Sequence, residues 1–469
     1  RPKHKVVIVL QSLSEKYKKY RTVPITLGII ATLVLIPFWL RFPNTKALGM
    51  GDFTVFYSAG FVVFWPILWT VIWWTFSGFE GFKSAWGNRF QRTWIILLII
   101  FAGWILLSWA WSYKRNSYPS VAIGAAVPFI LVILFAICVS CTLISTRFII
   151  RALVFGLVWN SVIAALQVAR QGSIGLQFIG EFQVDPAASG TAIVQADAVR
   201  WLRPYGLLPH PNMLGGFLVI GLLATLIWIM NTQHKRWIIG VVVFTFGFWC
   251  LLLTFSRSAW LGLAAGMLIL GILSIKIWWN DRQRLLRVLL IAGIFLIAAG
   301  LFYWRYRPFL AARTGVTTES IELRSASDRA VYNQIAIDAI KQSPILGTGI
   351  GNFPWYASEY LAKTTFDLRG QPVHNIFLSA WSELGIIGLG LFLAILSLAL
   401  GAGIIYIRRA SDSQKEIIFV YGATIGGIVA FLVIGLFDHY PWTLIQFQSL
   451  LWMLMAIIIR PPSTSSPLL

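Results

Sequence analysis

Apolar residues fall in twelve long runs, at roughly 23–40, 53–76, 94–111, 120–143, 150–169, 213–231, 238–254, 259–279, 286–304, 376–406, 417–437 and 441–459. Each run is close to the ~20 residues that an α-helix needs to cross a bilayer. The pattern predicts an all-α, polytopic membrane protein with about twelve transmembrane helices. Residues 1–22 form a basic cytoplasmic segment, 23–304 the first nine spans, 305–373 a large extracytoplasmic loop, 374–459 the last three spans and 460–469 a cytoplasmic tail rich in Pro and Ser. The large loop has a pattern of its own. Tyr332, Ile335, Ala336, Ala339 and Ile340 recur at three- and four-residue spacing, which predicts an amphipathic helix lying over the membrane surface. Ser343-Pro344 ends it, and Gly347, Gly349 and Gly351 follow.

Composition agrees with the runs. The 469 residues are 58% hydrophobic and 12% charged, where a soluble domain carries about a quarter charged residues. Lys and Arg number 38 against 17 Asp and Glu, but they are scattered between apolar runs, which argues against nucleic acid and for topology signalling. Counting outward from the basic N-terminus, every loop on the same side is basic: Lys83, Arg89 and Arg92, then Arg147 and Arg151, then Lys235 and Arg236. Arg282, Arg284 and Arg287 follow, then Arg408, Arg409 and Lys415. On this count the C-terminal tail is expected on the cytoplasmic side as well. The chain opens on Arg1 rather than Met, so an initiator or short leader is expected to be missing. The first run follows a long basic segment and can stay in the bilayer, so no cleaved signal peptide is expected. Cys138, Cys141 and Cys250 all lie in apolar runs and read as small buried hydrophobes rather than a redox or zinc site.

Candidate chemistry gathers on the predicted outer face. In PVHNIFLSAWSELGIIGLG (372–390), His374 and Asn375 stand where a polar loop enters an apolar run. An imidazole held there suits a general base, while the plainer reading is that the pair caps a helix. Arg203 in LRPYGLLPHPN and Arg257 in TFSRSAW run against the topology bias. A guanidinium binds phosphate oxygens through two parallel bonds, so the two together with His374 point to a pyrophosphate clamp; either alone reads as a side chain snorkelling to headgroups. Arg200 and His210 share the outer loop with Arg203; His210, between Pro209 and Pro211, reads as part of a rigid turn. His439, in a very short loop beside Asp438, ranks behind both other histidines as a base. The glycines of GTGIGNF (347–353) lack the preceding strand of a dinucleotide site and read as a tight turn, with packing against the catalytic face as a secondary reading. Acidic residues are sparse outside and form no Asp-x-Asp pair, so no metal or other cofactor is expected.

His374-Asn375, nine residues and then Gly385-x-x-Gly388 resemble the histidine signature of the O-antigen ligase and Wzy-type polymerase superfamily. Arg203 with Gly206 and Pro211-Asn212, Ser256-Arg257, and Pro344-x-x-Gly347-x-Gly349 are similar to family patterns in the same order. The resemblance covers roughly 195–400; the first five spans match only in being apolar. It implies a type-C glycosyltransferase of the bacterial inner membrane that moves a glycan from undecaprenyl pyrophosphate to an acceptor hydroxyl of a lipid, glycan or protein on the extracytoplasmic face, by metal-independent inverting transfer. His374 would be the general base, and Arg203 and Arg257 would hold the pyrophosphate. Arg329, Asn375 and Arg200 would be further substrate contacts. The rival class is a transporter of a small anion such as bicarbonate, or a non-catalytic component of polysaccharide export. Span centres almost free of ionisable residues, Glu383 excepted, favour surface chemistry over transport.

Overall fold

The computed structural model describes residues 22–40, 61–142, 144–196, 199–232, 235–313, 320–363, 371–411 and 414–462, with the backbone alone at 312–313 and 320–326. The basic segment before residue 22, the first outer loop, the first eight residues of the second run, parts of the large loop (314–319 and 364–370) and the end of the tail lie outside the described residues. In chain order the helices are α1 (Thr22–Leu35), α2 (Phe64–Phe76), α3 (Phe82–Gly87), α4 (Arg89–Leu107), α5 (Ser120–Cys141) and α6 (Thr146–Arg170). A hairpin of β1 (Ile193–Ala196) and β2 (Val199–Leu202) follows. Then come α7 (Pro211–Asn231), α8 (Trp237–Leu253), α9 (Arg257–Trp279), α10 (Arg282–Arg313), α11 (Ser320–Gln342) and α12 (Phe353–Leu361). The chain closes with α13 (Ile376–Arg409), α14 (Lys415–Gly435), α15 (Tyr440–Thr443) and α16 (Ile445–Ile459).

Among the described residues, eight helices are long and apolar enough to cross a membrane: α4 to α7, α9, α10, α13 and α14. Four shorter apolar helices, α1, α2, α8 and α16, fall on the remaining predicted runs. The protein is a multi-pass membrane protein. Its centre is α7, whose apolar stretch is 94% buried against protein, whereas that of α10 is only 17% buried and so faces outward along most of its length. Packing around α7 depends on small residues. Gly262 and Gly266 of α9 lie against Ala430 and Gly426 of α14, and a Cβ on Gly266 would stand 2.8 Å from the Gly426 carbonyl oxygen. Helices in lipid gain little by burying apolar side chains against one another, so close backbone approach supplies the contact instead.

Three features depart from the reading of the runs. The ninth span does not stop at 304: α10 continues to Arg313 across a kink at Tyr306 (φ −118°, ψ 17°), two residues before Pro308. The apolar stripe of α11 is turned to protein rather than to lipid headgroups. Tyr332, Ile335, Ala336 and Ala339 form a small separate core with Phe353, Tyr356, Ala357 and Leu361 of α12 and with Val373. Finally, among the described residues one short hairpin stands beside the helices, with Gln195 opposite Arg200.

Candidate active site

The tenth apolar run, continuous in sequence, is a broken helix. Gly385 sits within α13 at φ 68° and ψ −175°, which no L side chain adopts without strain, and a Cβ there would lie 1.8 Å from the carbonyl oxygen of Ile345. The break frees the carbonyls of Ser382, Glu383 and Leu384. The turn after α11 supplies the donors: Thr348 N–H donates to Ser382 (2.8 Å) and Gly349 N–H to Glu383 (2.8 Å), while the Trp104 indole of α4 donates to Leu384 (2.8 Å). In return Ile386 N–H donates to the carbonyl of Pro344 (2.9 Å). Gly347, Gly349 and Gly351 all hold positive φ to make this approach. The GTGIGNF glycines therefore splice a loop into a discontinuous helix, the arrangement by which membrane proteins keep irregular backbone satisfied.

The short first half of α13 carries His374 and Asn375 at its head. Asn375 is the cap: its Oδ1 accepts from Phe377 N–H (2.9 Å) and Leu378 N–H (3.1 Å), and its Nδ2 donates to the Leu436 carbonyl at the end of α14 (3.4 Å). That last bond draws the α14–α15 turn against His374. The rings of His374 and His439 lie 5.2 Å apart, and Tyr332 of α11 is 6.2 Å from His374 on another side. His374 Nδ1 is buried and has no hydrogen-bond partner among the described residues. Burial first, and then the charge of Arg329, push the His374 pKa down to about 4. The ring is therefore neutral near pH 7, with a nitrogen able to accept a proton.

Asp438, next to His439, is the hub of the surrounding polar network. Its carboxylate accepts from Asn212 Nδ2 (3.2 and 3.4 Å) and from Ser258 Oγ (2.8 Å), and it faces a terminal nitrogen of Arg329 at 3.9 Å. Asn212 lies in the first turn of α7, and Ser258 in the first turn of α9. One carboxylate thus ties together the N-termini of two helices, beside the N-terminus of a third, α13. Side-chain caps take some of their N–H groups, but the positive ends of the three macrodipoles still converge here, which favours an anion. Arg329 adds a full charge, and its Nε is buried without a hydrogen-bond partner among the described residues.

Arg203 joins this network from below. Its Nε donates to the Thr254 carbonyl at the end of α8 (2.7 Å), and one terminal nitrogen donates to Asn212 Oδ1 (2.6 Å). The residue is 4% exposed, so the guanidinium is packed within the protein rather than held at a headgroup surface. Gln167 of α6 fixes the segment after it, accepting from Tyr205 and Gly206 N–H (both 2.9 Å). Arg257 opens α9 one residue before Ser258, with its side chain exposed. Arg200 stands on β2 with its side chain exposed, and the hydrogen bonds described around Asp438 do not include it. His210 caps α7, its Nδ1 accepting from Asn212 N–H (3.1 Å).

Residues 241–393 match the family model of O-antigen ligase. That segment belongs to the O-antigen ligase family. The ligase segment runs from α8 through the break in α13 and includes Arg257, Arg329, His374 and Gly385. The match implies a glycan-transferring enzyme that acts on lipid-linked glycans. No curated protein matches the chain. Arg203, Asn212, Asp438 and His439 come from outside the ligase segment and complete its polar centre.

Asp438 is the residue that sequence reasoning passed over. A signal was present in Asp438-His439-Tyr440-Pro441, but the run boundaries gave only a very short loop, and its partners are 226 and 180 residues away in the chain.

Proposed function

We propose that the protein transfers a glycan from a polyprenyl pyrophosphate carrier to an acceptor hydroxyl on the extracytoplasmic face of a twelve-span fold, with His374 as general base. The observation that carries this reading is the neutral His374 imidazole, its Nδ1 buried and unpaired, set beside Arg329 where three helix N-termini converge. A base and an anion site at one place are what transfer from a pyrophosphate requires.

In this reading the donor's isoprenoid tail stays in the bilayer, each buried methylene contributing about 0.8 kcal/mol, and only the diphosphate and sugar reach the polar centre. The acceptor oxygen attacks the anomeric carbon as the bond from that carbon to the pyrophosphate oxygen breaks, inverting the configuration. The acceptor proton passes to His374, and the negative charge leaves with the carrier pyrophosphate. Arg257, Arg329 and the helix N-termini stabilise that charge, as preorganised donors do in other acyl and phosphoryl sites. Arg203 orients Asn212 and the end of α8, so that its contribution to the anion site runs through that framework as well as its own charge. Packing of α11 over His374 through Tyr332 limits water, which protects the donor from hydrolysis.

The test is transfer of a labelled glycan from a polyprenyl-pyrophosphate donor by the purified protein in nanodiscs, with EDTA present. Transfer by the wild type and its loss in His374→Ala are expected. A folded His374→Ala variant that turns over normally, or a strict requirement for Mg²⁺, would overturn the scheme.

A further inference from the structure

At the end of α7 away from Asn212, α6, α7 and α14, with Arg236 at the head of α8, line a half-open cavity of about 820 Å³. The 21 residues of α7 rise about 30 Å, so this cavity and the His374 site stand at opposite ends of the membrane-spanning helices. It is the end that the basic loops assign to the cytoplasm.

The polar mouth of the cavity is built from Arg147 and Arg151, one turn apart on α6, Arg236 before α8, and Asn231 and Thr232 at the end of α7. Among the described residues, Glu416 is the one acidic side chain lining it. Asn231 is 7% exposed, and neither its Oδ1 nor its Nδ2 has a hydrogen-bond partner among the described residues; Arg147 Nε is likewise buried and unpartnered. The side-chain amide presents a donor and an acceptor to the cavity, beside three guanidinium groups. The N-termini of α6, α8 and α14 also lie at this end, adding the positive ends of three macrodipoles. The whole favours a phosphate with hydroxyl groups near it.

The wall of the cavity says what the phosphate is attached to. Ile150, Val154, Phe155 and Val158 continue the line of Arg147 and Arg151 along α6, reaching about 16 Å toward the bilayer centre. Phe155 is 56% exposed on this stripe. A free phosphate would leave the stripe without use, whereas a lipid acyl chain would lie along it.

We propose that this cavity binds an anionic glycerophospholipid of the leaflet facing away from the His374 site. Arg147, Arg151 and Arg236 hold its phosphate, Asn231 and Thr232 the hydroxyls or ester oxygens of its headgroup region, and the α6 stripe one of its acyl chains. Basic clefts between transmembrane helices hold lipid headgroups by the same combination of charge and apolar wall. The site is separate from the transfer chemistry and stands whether or not that reading holds.

The experiment uses the full-length protein in nanodiscs of phosphatidylcholine containing increasing phosphatidylglycerol, with retained lipid counted by native mass spectrometry after extraction. The wild type is expected to keep one phosphatidylglycerol. Arg151→Gln, at an exposed position that folding tolerates, is expected to weaken retention about tenfold, the loss of one charge-assisted contact, and Arg147→Gln with Arg151→Gln to weaken it further. A thermal melt confirms that each variant is folded. Equal retention by wild type and variants, or equal retention of phosphatidylcholine, would overturn the proposal. Displacement by inorganic phosphate at the same concentration, or preference for a polyprenyl phosphate over phosphatidylglycerol, would overturn it too.

Discussion

The imidazoles of His374 and His439 meet edge to face, with centroids 5.2 Å apart and planes at 87°. Neither ring holds a proton readily there. Burial and then Arg329 bring His374 down to about 4, while burial and then His374 itself bring His439 down to about 3, against the opposing pull of Asp438. Two adjacent neutral imidazoles at pH 7 make a site that starts its cycle with the base unprotonated.

The pH dependence follows with a definite sign. Transfer is expected to be level from pH 8 to about 6 and to fall as pH approaches about 4, where His374 gains its proton. Stability changes in the same direction. A histidine depressed in the folded state contributes stability above its unfolded value of about 6.5, lost as pH falls toward the folded value. Arg329→Ala removes a charge that lowers the His374 pKa, so the acid limb of the pH–rate profile is expected to move upward.

Replacing His374 by Ala is expected to reduce the transfer rate by about 10²–10⁴, the usual contribution of a positioned general base, with donor affinity little changed. Single-turnover kinetics and a donor-binding assay on the same preparation separate the two quantities.

Asp438→Asn keeps the size of the side chain but replaces one acceptor oxygen with a donor. Asn212, Ser258 and Arg329 then compete for a single acceptor. A loss of about 1–3 kcal/mol is expected, read as a lower melting temperature in detergent, because buried polar groups are left unpaired. Activity should fall further than the melting temperature explains, since the ends of α7 and α9 lose their common tie.

Gly385→Ala is the sharpest test of the broken helix. The new Cβ would meet the Ile345 carbonyl at 1.8 Å and hold a positive φ besides. A destabilisation of at least about 1–3 kcal/mol is expected from the backbone alone. The measurement is the yield of monodisperse protein after detergent extraction. Gly390→Ala, with open space around its Cβ, is the matched control.

Arg257→Lys is expected to raise the KM for the donor about tenfold while leaving the fold intact, because an ammonium cannot replace a two-pronged guanidinium on a diphosphate. Unchanged donor affinity would assign Arg257 to the lipid headgroups instead.

Much of this architecture was legible in the runs of apolar residues, because a bilayer demands that each span be long and continuous. The α11 stripe was legible for a similar reason: Tyr332, Ile335, Ala336 and Ala339 are all buried. Its partner was not, since a three-to-four spacing identifies a buried face without saying whether lipid or protein covers it. The break at Gly385 was hidden because its cause lies elsewhere in the chain, in the loop carbonyl of Ile345 and the indole of Trp104. The hairpin at 193–202 was missed because four-residue strands are too short to show alternation. Arg203 illustrates a further limit. Its place on the outer face, against the topology bias, marked it as a candidate, but only the fold reveals that Thr254 and Asn212 engage the guanidinium.

The hydrogen bond from Trp104 to Leu384 joins residues 280 positions apart and bears on how the enzyme can be dissected. A fragment trimmed to the ligase segment would lose that indole, together with the carboxylate that gathers α7 and α9. The signature stretch is thus no autonomous module. Grafting it into another scaffold would carry the histidine without the braces that aim it, and chimaeras between relatives are expected to work only when both flanks travel with it.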